Sequence, residues 1–561
     1  NTTNGASLNY SGGSYGGLGG GSSPNAAYDN YREPVTPGAG GAGGSASAGG
    51  GCVMIQADTF VLAGAIRADG GPRPGNISGG GAGGSVRIEA ETLSGSGSIS
   101  VCGGAGYGSG GGGGGGRVAI YFEALSGFDL TNAITATGGS GGSLGGAGTV
   151  YWESSEVSGR ELRLAGNGSG TSLTPIGEID VDRFVLVNSG VSVETNVRIP
   201  EIALTNAAVT FKGAVTADNI WLTGTSVVTH VACTTNQEYG LNLVVSNVLS
   251  IGSNSAIDLC GRGYLPTRTV GNTTNGGSTG SSGGSYGGIG GGSAAAGAYG
   301  DYRSPTNPGS GGGDSHAGTG GGRINIHCGT LTLAGSILAN GGNGTSGWNA
   351  GGGSGGGIRI ETHALGGNGL ISACGGNGNS SGGGGGGGRV AVYYEELDGY
   401  NLTNGLLAAG GSGSSGGSAG TIYSRQTNEA GRLRLDNRAV INSAKTPLWR
   451  DDGTNDFEEV SIRGTNLIVE LPTGTVSAAS LLLEGGAILV HPACTANREY
   501  SLNLFVHGPV TVATNCAIDV SSRGYLPGRT LGNTTNGAST GYSGGSYGGL
   551  GGGSTPNAVY G

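Results

Sequence analysis

A short apolar phrase recurs at nearly constant spacing in the first third of the chain. Val53, Val86, Val118 and Val150 each belong to one copy, and successive valines are 32 or 33 residues apart. The phrases read VMIQADTF, VRIEAETL, VAIYFEAL and VYWESSEV. In each copy an apolar residue follows two positions later, which is the period of a strand with one buried face. A strand repeated at constant period predicts the coil of a parallel β-solenoid, in which equivalent residues stack in ladders.

A longer repeat contains the short one. The text NTTNG occurs at residues 1, 272 and 533, and SGGGGGGGR occurs at 109–117 and 381–389. The chain therefore holds two long repeats and the start of a third. We expect it to be part of a longer array of such repeats. The expected segments are glycine-rich coils at 1–160, glycine-poor coils at 161–271, their second copies at 272–431 and 432–532, and a third start at 533–561.

The glycine-poor segments keep the coil period. Apolar starts fall near Val185, Ile202 and Ile220, some 17 to 18 residues apart. The predicted fold is all-β, a right-handed parallel β-helix. A β-sandwich is the alternative, but it does not require a constant period. The residues predicted to face inward are Val53, Ile55, Val86, Ile88, Val118 and Ile120.

Glycine supplies 132 of the 561 residues, mostly in excursions that leave and rejoin the coils at fixed places. We predict that these excursions pack side by side on one flank as polyglycine II-like segments, because glycine allows an extended threefold helix and close backbone approach. Irregular loops are the alternative. Tyrosines punctuate the longest excursion, and we interpret them as scaffold rather than as a platform for stacking sugars. They are Tyr15, Tyr28, Tyr31, Tyr286, Tyr299, Tyr302, Tyr547 and Tyr560.

Charge and hydropathy exclude two classes of partner. The net charge is −10 and the only lysines are Lys212 and Lys445, whereas nucleic-acid binding needs basic patches. No apolar run approaches the ~18 residues that a membrane span requires. We therefore expect neither a nucleic-acid partner nor a membrane span.

Eight cysteines, four in each long repeat, are typical of an oxidising compartment. We predict that at least one disulfide forms within a long repeat; Cys233–Cys260 and Cys494–Cys516 are possible pairs. The sequence does not fix the pairing.

One acidic run could offer oxygen ligands to Ca²⁺. It is RDDGTNDFEE, and its candidate ligands are Asp451, Asp452, Asn455, Asp456 and Glu459. The run lacks the spacing of an EF-hand and has no counterpart in the first repeat, so a solvated acidic loop is the favoured interpretation. We expect no other cofactor. The histidines form no spaced pair, and no cluster of acidic and basic residues suggests a polysaccharide-degrading β-helix enzyme.

The phrases RGYLP, GGSYGGLGGG, YRSPTNPGSGGG, GGSVRIEA and GGGGGGRVAIYFEAL resemble a family of very large glycine-rich repeat proteins. Those are surface or secreted proteins of bacteria, adhesin-like and expected to form parallel β-helices. The similarity covers most of both long repeats and is weakest over 160–250. The resemblance implies architecture only and transfers no functional residue.

The sequence as a whole favours a structural, non-enzymatic role. We expect a repeat segment of an extracellular filament or cell-surface fibre that self-associates or continues covalently. The alternative is an adhesin module that binds glycans through its glycine- and tyrosine-rich flank. A β-helix polysaccharide-degrading enzyme ranks third.

Overall fold

The protein is described by a computed structural model. It covers residues 6–43, 46–72, 77–154, 159–167, 172–438, 440–441, 444–448, 454–471 and 475–560. Within these residues the chain is almost entirely strand, turn and extended segment, with one four-residue helix, α1 (Leu402–Gly405).

The strands of the first long repeat are β1 (Cys52–Val61), β2 (Ala65–Arg67), β3 (Ser85–Ser94), β4 (Ser98–Ser100), β5 (Arg117–Ser126), β6 (Ile134–Thr135), β7 (Thr149–Ser154), β8 (Gly159–Ala165), β9 (Thr174–Ile176), β10 (Arg183–Val187), β11 (Gly190–Val193), β12 (Val197–Arg198), β13 (Glu201–Thr205), β14 (Ala208–Phe211), β15 (Val215–Thr223), β16 (Val227–His230), β17 (Leu241–Ile251) and β18 (Ala256–Asp258).

Those of the second are β19 (Arg323–Leu333), β20 (Ser336–Leu338), β21 (Gly357–Gly367), β22 (Leu370–Ser372), β23 (Arg389–Asp398), β24 (Leu406–Leu407), β25 (Thr421–Gln426), β26 (Gly431–Asp436), β27 (Lys445–Pro447), β28 (Thr454–Arg463), β29 (Ile468–Glu470), β30 (Thr475–Glu484), β31 (Ile488–Val490), β32 (Asn503–Val506), β33 (Val510–Val512) and β34 (Ala517–Ile518).

The recurring apolar phrases form one parallel stack, as their spacing predicts. Val53 pairs with Val86, Val86 with Val118 and Val118 with Val150, so the predicted ladder is confirmed. The second repeat stacks in the same way, with its phrases at Ile324, Ile358, Val390 and Ile422 in register. Of the predicted inward residues, Val86, Ile88, Val118 and Ile120 are buried, whereas Val53 and Ile55 on the end strand β1 are half-buried.

The glycine-poor segments stack with an 18-residue period, and their register corrects the predicted starting point by one residue. Phe184, rather than Val185, pairs with Ile202, and Ile202 pairs with Ile220. Phe184 and Val185 are both apolar, so the sequence alone does not show which of them stacks with Ile202 and Ile220. The alternation places Phe184 in the main core.

The two long repeats join without a break in the sheet. Strand β17 is the last strand that the first repeat contributes to the main sheet, and it pairs in parallel with β19, the first strand of the second repeat. Five ladder residues of β17 are fully buried at this junction: Leu241, Leu243, Val245, Leu249 and Ile251. One core cluster accordingly runs from Leu162 to Ile422 across the repeat boundary.

Among the described strands the direction reverses twice, which a uniform parallel winding does not predict. Strands β7 and β8 are antiparallel, with Tyr151 opposite Leu162. Directly opposed residues in an antiparallel pair point to the same face. Leu162 therefore lies on the face of Tyr151, while the core residues Val150 and Trp152 lie on the other face.

The second reversal repeats the first. Strands β25 and β26 are antiparallel, and Tyr423 lies opposite Leu433. Ile422 belongs to the long central core, whereas Tyr423 and Leu433 belong to a third core. At each reversal the buried face of the sheet thus changes sides.

Shorter sheets complete the coils. They join β9, β11, β14, β16, β18, β20, β22 and β24, then β2, β4 and β6, then β27, β29, β31 and β34. Their pairs described in residue register are parallel, for example β20 with β22. No helix in the described residues is long and apolar enough to span a membrane.

Candidate functional site

The glycine excursions pack into a hydrogen-bonded bundle whose centre is the run 110–116. We call this the glycine bundle; in the first repeat it comprises residues 10–21, 38–43, 47–50, 78–84, 101–116 and 136–148. Every residue of the run 110–116 is buried. Amides of three consecutive residues donate to three different neighbouring segments. The donor and acceptor pairs, at 2.7–3.0 Å, are Gly111 to Tyr10, Gly112 to Ser143, Gly113 to Gly104, Gly114 to Gly13, Gly115 to Gly146 and Gly116 to Val101.

The carbonyl oxygens of the same run accept bonds with the same period of three. Gly111 and Gly114 accept from Gly80 and Gly83, which belong to one segment. Gly112 accepts from Gly20, Gly113 from Gly139, Gly115 from both Gly16 and Gly17, and Gly116 from Thr149. A buried backbone needs a partner for each N–H and C=O group, and the bundle provides them without a sheet.

Close packing explains why these residues are glycine. A Cβ atom added at Gly111, Gly112 or Gly113 would fall on a neighbouring carbonyl group. The same holds at Gly382–Gly388 in the second repeat. Its amides donate with the same periodicity: Gly383 to Ser281, Gly384 to Ser415, Gly385 to Gly376, Gly386 to Gly284, Gly387 to Ser418 and Gly388 to Ala373.

An arginine fastens each bundle to the sheet. Arg117 follows the glycine run, begins β5 and is 5% exposed. Its Nε and Nη2 donate to the carbonyl oxygen of Tyr28 at 3.2 and 3.1 Å, and its Nη1 donates to Oγ1 of Thr149 at 3.1 Å. Burial lowers the pKa of Arg117. The sequence shows the recurring arginine, but it does not show that this side chain is buried.

Most of the tyrosines that the sequence singles out in the first two repeats are buried scaffold residues. Tyr15 and Tyr286 are fully buried and Tyr302 is 2% exposed. Burial raises the pKa of Tyr286 to about 12. The ring faces of these three tyrosines are therefore covered by protein.

The third copy of the glycine text has the same local fold but an open surface. Gly545, Gly548, Gly549 and Gly552 have open space where a Cβ would stand. In the first copy a Cβ at each equivalent position, at Gly13, Gly16, Gly17 and Gly20, would meet neighbouring backbone. Tyr547 is 66% exposed, whereas its equivalent Tyr15 is fully buried.

The two end strands of the main sheet are open as well. Among the described strands, β1 pairs only with β3, while β32 and β33 pair only with β30. Exposed apolar side chains line both edges. They include Met54 and Val61 on β1, and Phe505, Val510 and Val512 on β32 and β33.

The calcium candidate falls partly outside the described residues. Asp451 and Asp452 are not described, and neither is the side chain of Asn455. Asp456 is exposed and Glu459 is half-buried, both on β28. Within the described part of the chain, no three His, Cys, Asp or Glu side chains are placed to hold a metal ion.

The eight cysteines all lie in described residues and are free thiols. The structure therefore joins neither Cys233 to Cys260 nor Cys494 to Cys516. Cys233 accepts a hydrogen bond from the amide of Tyr239 at 3.4 Å, and Cys494 accepts the equivalent bond from Tyr500. These thiols act as local acceptors at coil corners, and the disulfides stay a prediction for the oxidised protein.

Comparisons with family models, with curated proteins and with solved structures found no match.

Proposed function

We propose that this chain is a structural repeat segment of an extracellular filament or surface fibre, without catalytic activity. One observation carries the proposal: the two long repeats stack on each other in one continuous sheet, in which β17 pairs in parallel with β19. β32 and β33 are the second-repeat counterparts of β17, and β1 is the first-repeat counterpart of β19. Unpaired strand edges are templates for pairing with another chain.

The proposed architecture is a right-handed parallel β-helix flanked by polyglycine II-like segments. Parallel crossovers are right-handed in nearly all known cases. At each antiparallel junction both the strand direction and the buried face change, a combination that preserves the winding sense. The threefold pattern of amide donors in Gly111–Gly116 supports the polyglycine II-like arrangement.

The sheet levels set the expected period of the filament. A level is one strand position of the main sheet along the stack. The described part of the first repeat contributes nine levels, β1, β3, β5, β7, β8, β10, β13, β15 and β17. The second contributes eight, β19, β21, β23, β25, β26, β28, β30 and the pair β32 and β33. At ~4.8 Å per level, the repeats would advance the stack by about 43 and 38 Å.

Electron microscopy of the purified chain tests this proposal. A heterologous head-to-tail contact that does not close generates an open filament. Concentrated protein should therefore form unbranched filaments with an axial period near 80 Å, the sum of the two repeats at ~4.8 Å per level. Particles that stay monomeric at high concentration would contradict the proposal.

A second candidate function, glycan binding by an adhesin-like module, is favoured by one observation. The ring of Trp348 is 53% exposed and stacks on His316, with centroids 3.8 Å apart. Exposed, oriented aromatic rings offer an apolar face at a wet surface. A glycan array that compares the native chain with Trp348→Ala tests this candidate, and equal absence of selective binding would dismiss it.

A further inference from the structure

We infer that Asn275 is a modification site, at which the side-chain amide is lost without an enzyme and the chain acquires an isoaspartyl or aspartyl residue. The reaction needs only water and the chain's own backbone, and it does not require the chain to assemble. The site lies in the recurring text NTTNG, so each long repeat brings one copy of it.

The reaction joins a side chain to the next backbone amide. The amide nitrogen of Gly276 attacks Cγ of Asn275, its proton passes to the leaving Nδ2 group, and ammonia departs from the closed succinimide ring. Water then opens the ring. Opening at Cγ leaves aspartate, whereas opening at the backbone carbonyl carbon leaves isoaspartate, in which the main chain runs through Cβ and Cγ. The net change is hydrolysis of one amide to a carboxylate and ammonium. Glycine favours the attack because it has no Cβ to obstruct it.

Most Asn–Gly pairs in the described part of the chain hold the glycine amide in a hydrogen bond. The pairs with both residues described begin at Asn275, Asn340, Asn343, Asn368, Asn377, Asn404 and Asn536. Five of their glycine amides donate to a backbone carbonyl oxygen at 2.8–2.9 Å: Gly341 to Cys374, Gly344 to Asn377, Gly369 to Leu333, Gly378 to Ser412 and Gly405 to Asn401. Such an amide must leave its acceptor before it can attack, which costs a hydrogen bond and a local opening.

The pair at Asn275 is not held in this way. The amide of Gly276 makes no hydrogen bond to any described residue, and both Asn275 and Gly276 are exposed. A Cβ added at Gly276 would meet nothing within 4 Å, whereas a Cβ at Gly344 or Gly378 would lie 2.3 Å from a backbone carbonyl oxygen. The attacking nitrogen and its target are therefore both in water, which supplies the base that removes the amide proton.

The turn that contains Asn275 is small and weakly held. One backbone hydrogen bond closes it, from the amide of Gly277 to the carbonyl oxygen of Thr274 at 3.1 Å. The amide of Asn275 donates to Oγ1 of Thr273 at 3.1 Å. Residues 273–277 are all exposed or half-buried. An isoaspartyl link lengthens the main chain by one carbon atom, and this turn can accept it without disturbing a core residue.

The exposure of Asn275 belongs to the repeat. This residue lies between β18 and β19, in the interior of the chain, where the sheet is continuous across the two long repeats. Asn536 occupies the same turn in the next copy of the text: its amide donates to Oγ1 of Thr534 at 3.1 Å, and the φ angles of Gly276 and Gly537 are +73° and +75°. We expect Asn536 to react in the same way. Asn4, in the first copy, lies outside the described residues.

The modification would change the charge of the protein with age. Each event replaces a neutral amide by a carboxylate, on a chain whose net charge is already −10. Asparagine is one of the chemically labile residues, and the hydrogen-bonded pairs confine its loss to the repeat boundaries. An array of such repeats would therefore gain negative charge at regular intervals along its length.

Peptide mass spectrometry of the aged full chain tests the site. The native protein is kept in mildly alkaline buffer, because base promotes removal of the amide proton, and is sampled over time. Isoaspartate is detected by fragmentation that distinguishes it from aspartate and by methylation with a protein isoaspartate methyltransferase. We expect conversion at Asn275 to be at least tenfold faster than at Asn343, Asn377 or Asn404, whose glycine amides must first break a hydrogen bond. Equal rates at these sites in the native chain would overturn the assignment.

The unfolded chain is the matched reference. In denaturant every Asn–Gly pair loses its hydrogen bonds, so the slow pairs should accelerate to the rate observed at Asn275. If Asn275 reacts in the unfolded chain but stays intact in the native chain, the inference is wrong, because the folded turn then keeps the Gly276 amide away from the side chain.

A single substitution assigns the reacting residue. Asn275→Gln places the same amide on a longer side chain, which must close a six-membered ring and does so far more slowly. The position is exposed, so the variant should fold. Conversion should disappear from the peptide that contains residue 275 and continue at Asn536, and isoelectric focusing of the aged native protein should show one acidic step fewer. Conversion that persists in that peptide would place the reaction at Asn272 and overturn the assignment to Asn275.

Discussion

The guanidinium carbon of Arg117 lies 5.6 Å from the ring centroid of Tyr15, and the same relationship recurs between Arg389 and Tyr286 at 5.4 Å. Each arginine is buried and donates to the carbonyl oxygen of a second tyrosine, Tyr28 or Tyr299. A buried cation over an aromatic ring gains more than an exposed one, because water does not compete for it. Each arginine is itself the first residue of a core strand, β5 or β23, and it thereby couples the glycine bundle to the sheet.

Replacing this arginine should weaken the protein measurably. In Arg389→Met, the carbonyl oxygen of Tyr299 and the hydroxyl of Thr421 lose a buried donor. We expect the free energy of unfolding to fall by about 1–3 kcal/mol. Guanidinium denaturation followed by circular dichroism measures the change. The control Arg198→Met, at an exposed position of β12, should stay within about 0.5 kcal/mol of the native chain. Equal losses in the two variants would refute the coupling.

Acid should destabilise the protein through His230. This imidazole is 1% exposed and donates from Nδ1 to the carbonyl oxygen of Val231. Burial lowers its pKa to about 4, whereas the unfolded chain has an ordinary histidine pKa near 6.5. The unfolded state therefore binds the proton more readily. The stabilisation is fully present above pH 6.5 and is lost as the pH falls from 6.5 to 4.

The difference between the two pKa values corresponds to about 3 kcal/mol. Because carboxylates also titrate near pH 4, the informative range is pH 7.5 to 5.5. His230→Gln should remove most of the slope of unfolding free energy against pH in this range. An unchanged slope would show that the pKa of His230 is the same in the folded and the unfolded protein.

Thiol labelling should rank the cysteines by burial. Cys52 is exposed on β1, whereas burial raises the pKa of Cys328 to about 11. At pH 8 only about a thousandth of Cys328 would be thiolate, which is the reactive form. Iodoacetamide should therefore modify Cys52 long before Cys328 in the native protein, as read by mass spectrometry. Equal rates at both sites would contradict the placement of Cys328 in the core.

The same labelling in denaturant tests the disulfides that the cysteine pattern suggests. Without a reducing agent, eight alkylated thiols are expected from the free cysteines in the structure. Each bonded pair, such as Cys233–Cys260, would remove two. A count of six or four in protein secreted by an oxidising pathway would establish the disulfides for that environment.

The parallel ladders could be predicted because a period of two in each strand and a constant spacing between strands leave one register. Val53, Val86, Val118 and Val150 follow from that alone. The register at Phe184 could not be predicted, because Phe184 and Val185 are both apolar and the pattern tolerates a shift by one residue. The structure resolves it through the pairing of Phe184 with Ile202.

The change of buried face is the feature least visible in the sequence. It depends on the antiparallel pairing of β7 with β8, which sets Tyr151 opposite Leu162. A hydrophobic pattern reports which residues alternate, but it does not report strand direction. The role of Arg117 was hidden for a related reason, since a charged residue beside glycines is ordinarily expected to be exposed.

Replacing a single glycine of the bundle by alanine should be enough to destabilise the protein. A Cβ at Gly113 would lie 1.9 Å from the carbonyl oxygen of Gly81. Real Cβ atoms do not approach a backbone atom this closely, so Gly113→Ala must displace a neighbouring segment and break its hydrogen bonds. We expect a loss of about 1–3 kcal/mol or more in the free energy of unfolding.

The matched control is Gly177→Ala, where a Cβ meets nothing within 4 Å. That variant should be neutral or stabilised by about 0.4–1 kcal/mol, because alanine restricts the unfolded chain. Denaturation midpoints of the two variants decide the matter. If Gly113→Ala were as stable as Gly177→Ala, the run would be loosely packed, and the irregular loops considered from the sequence would be the better description.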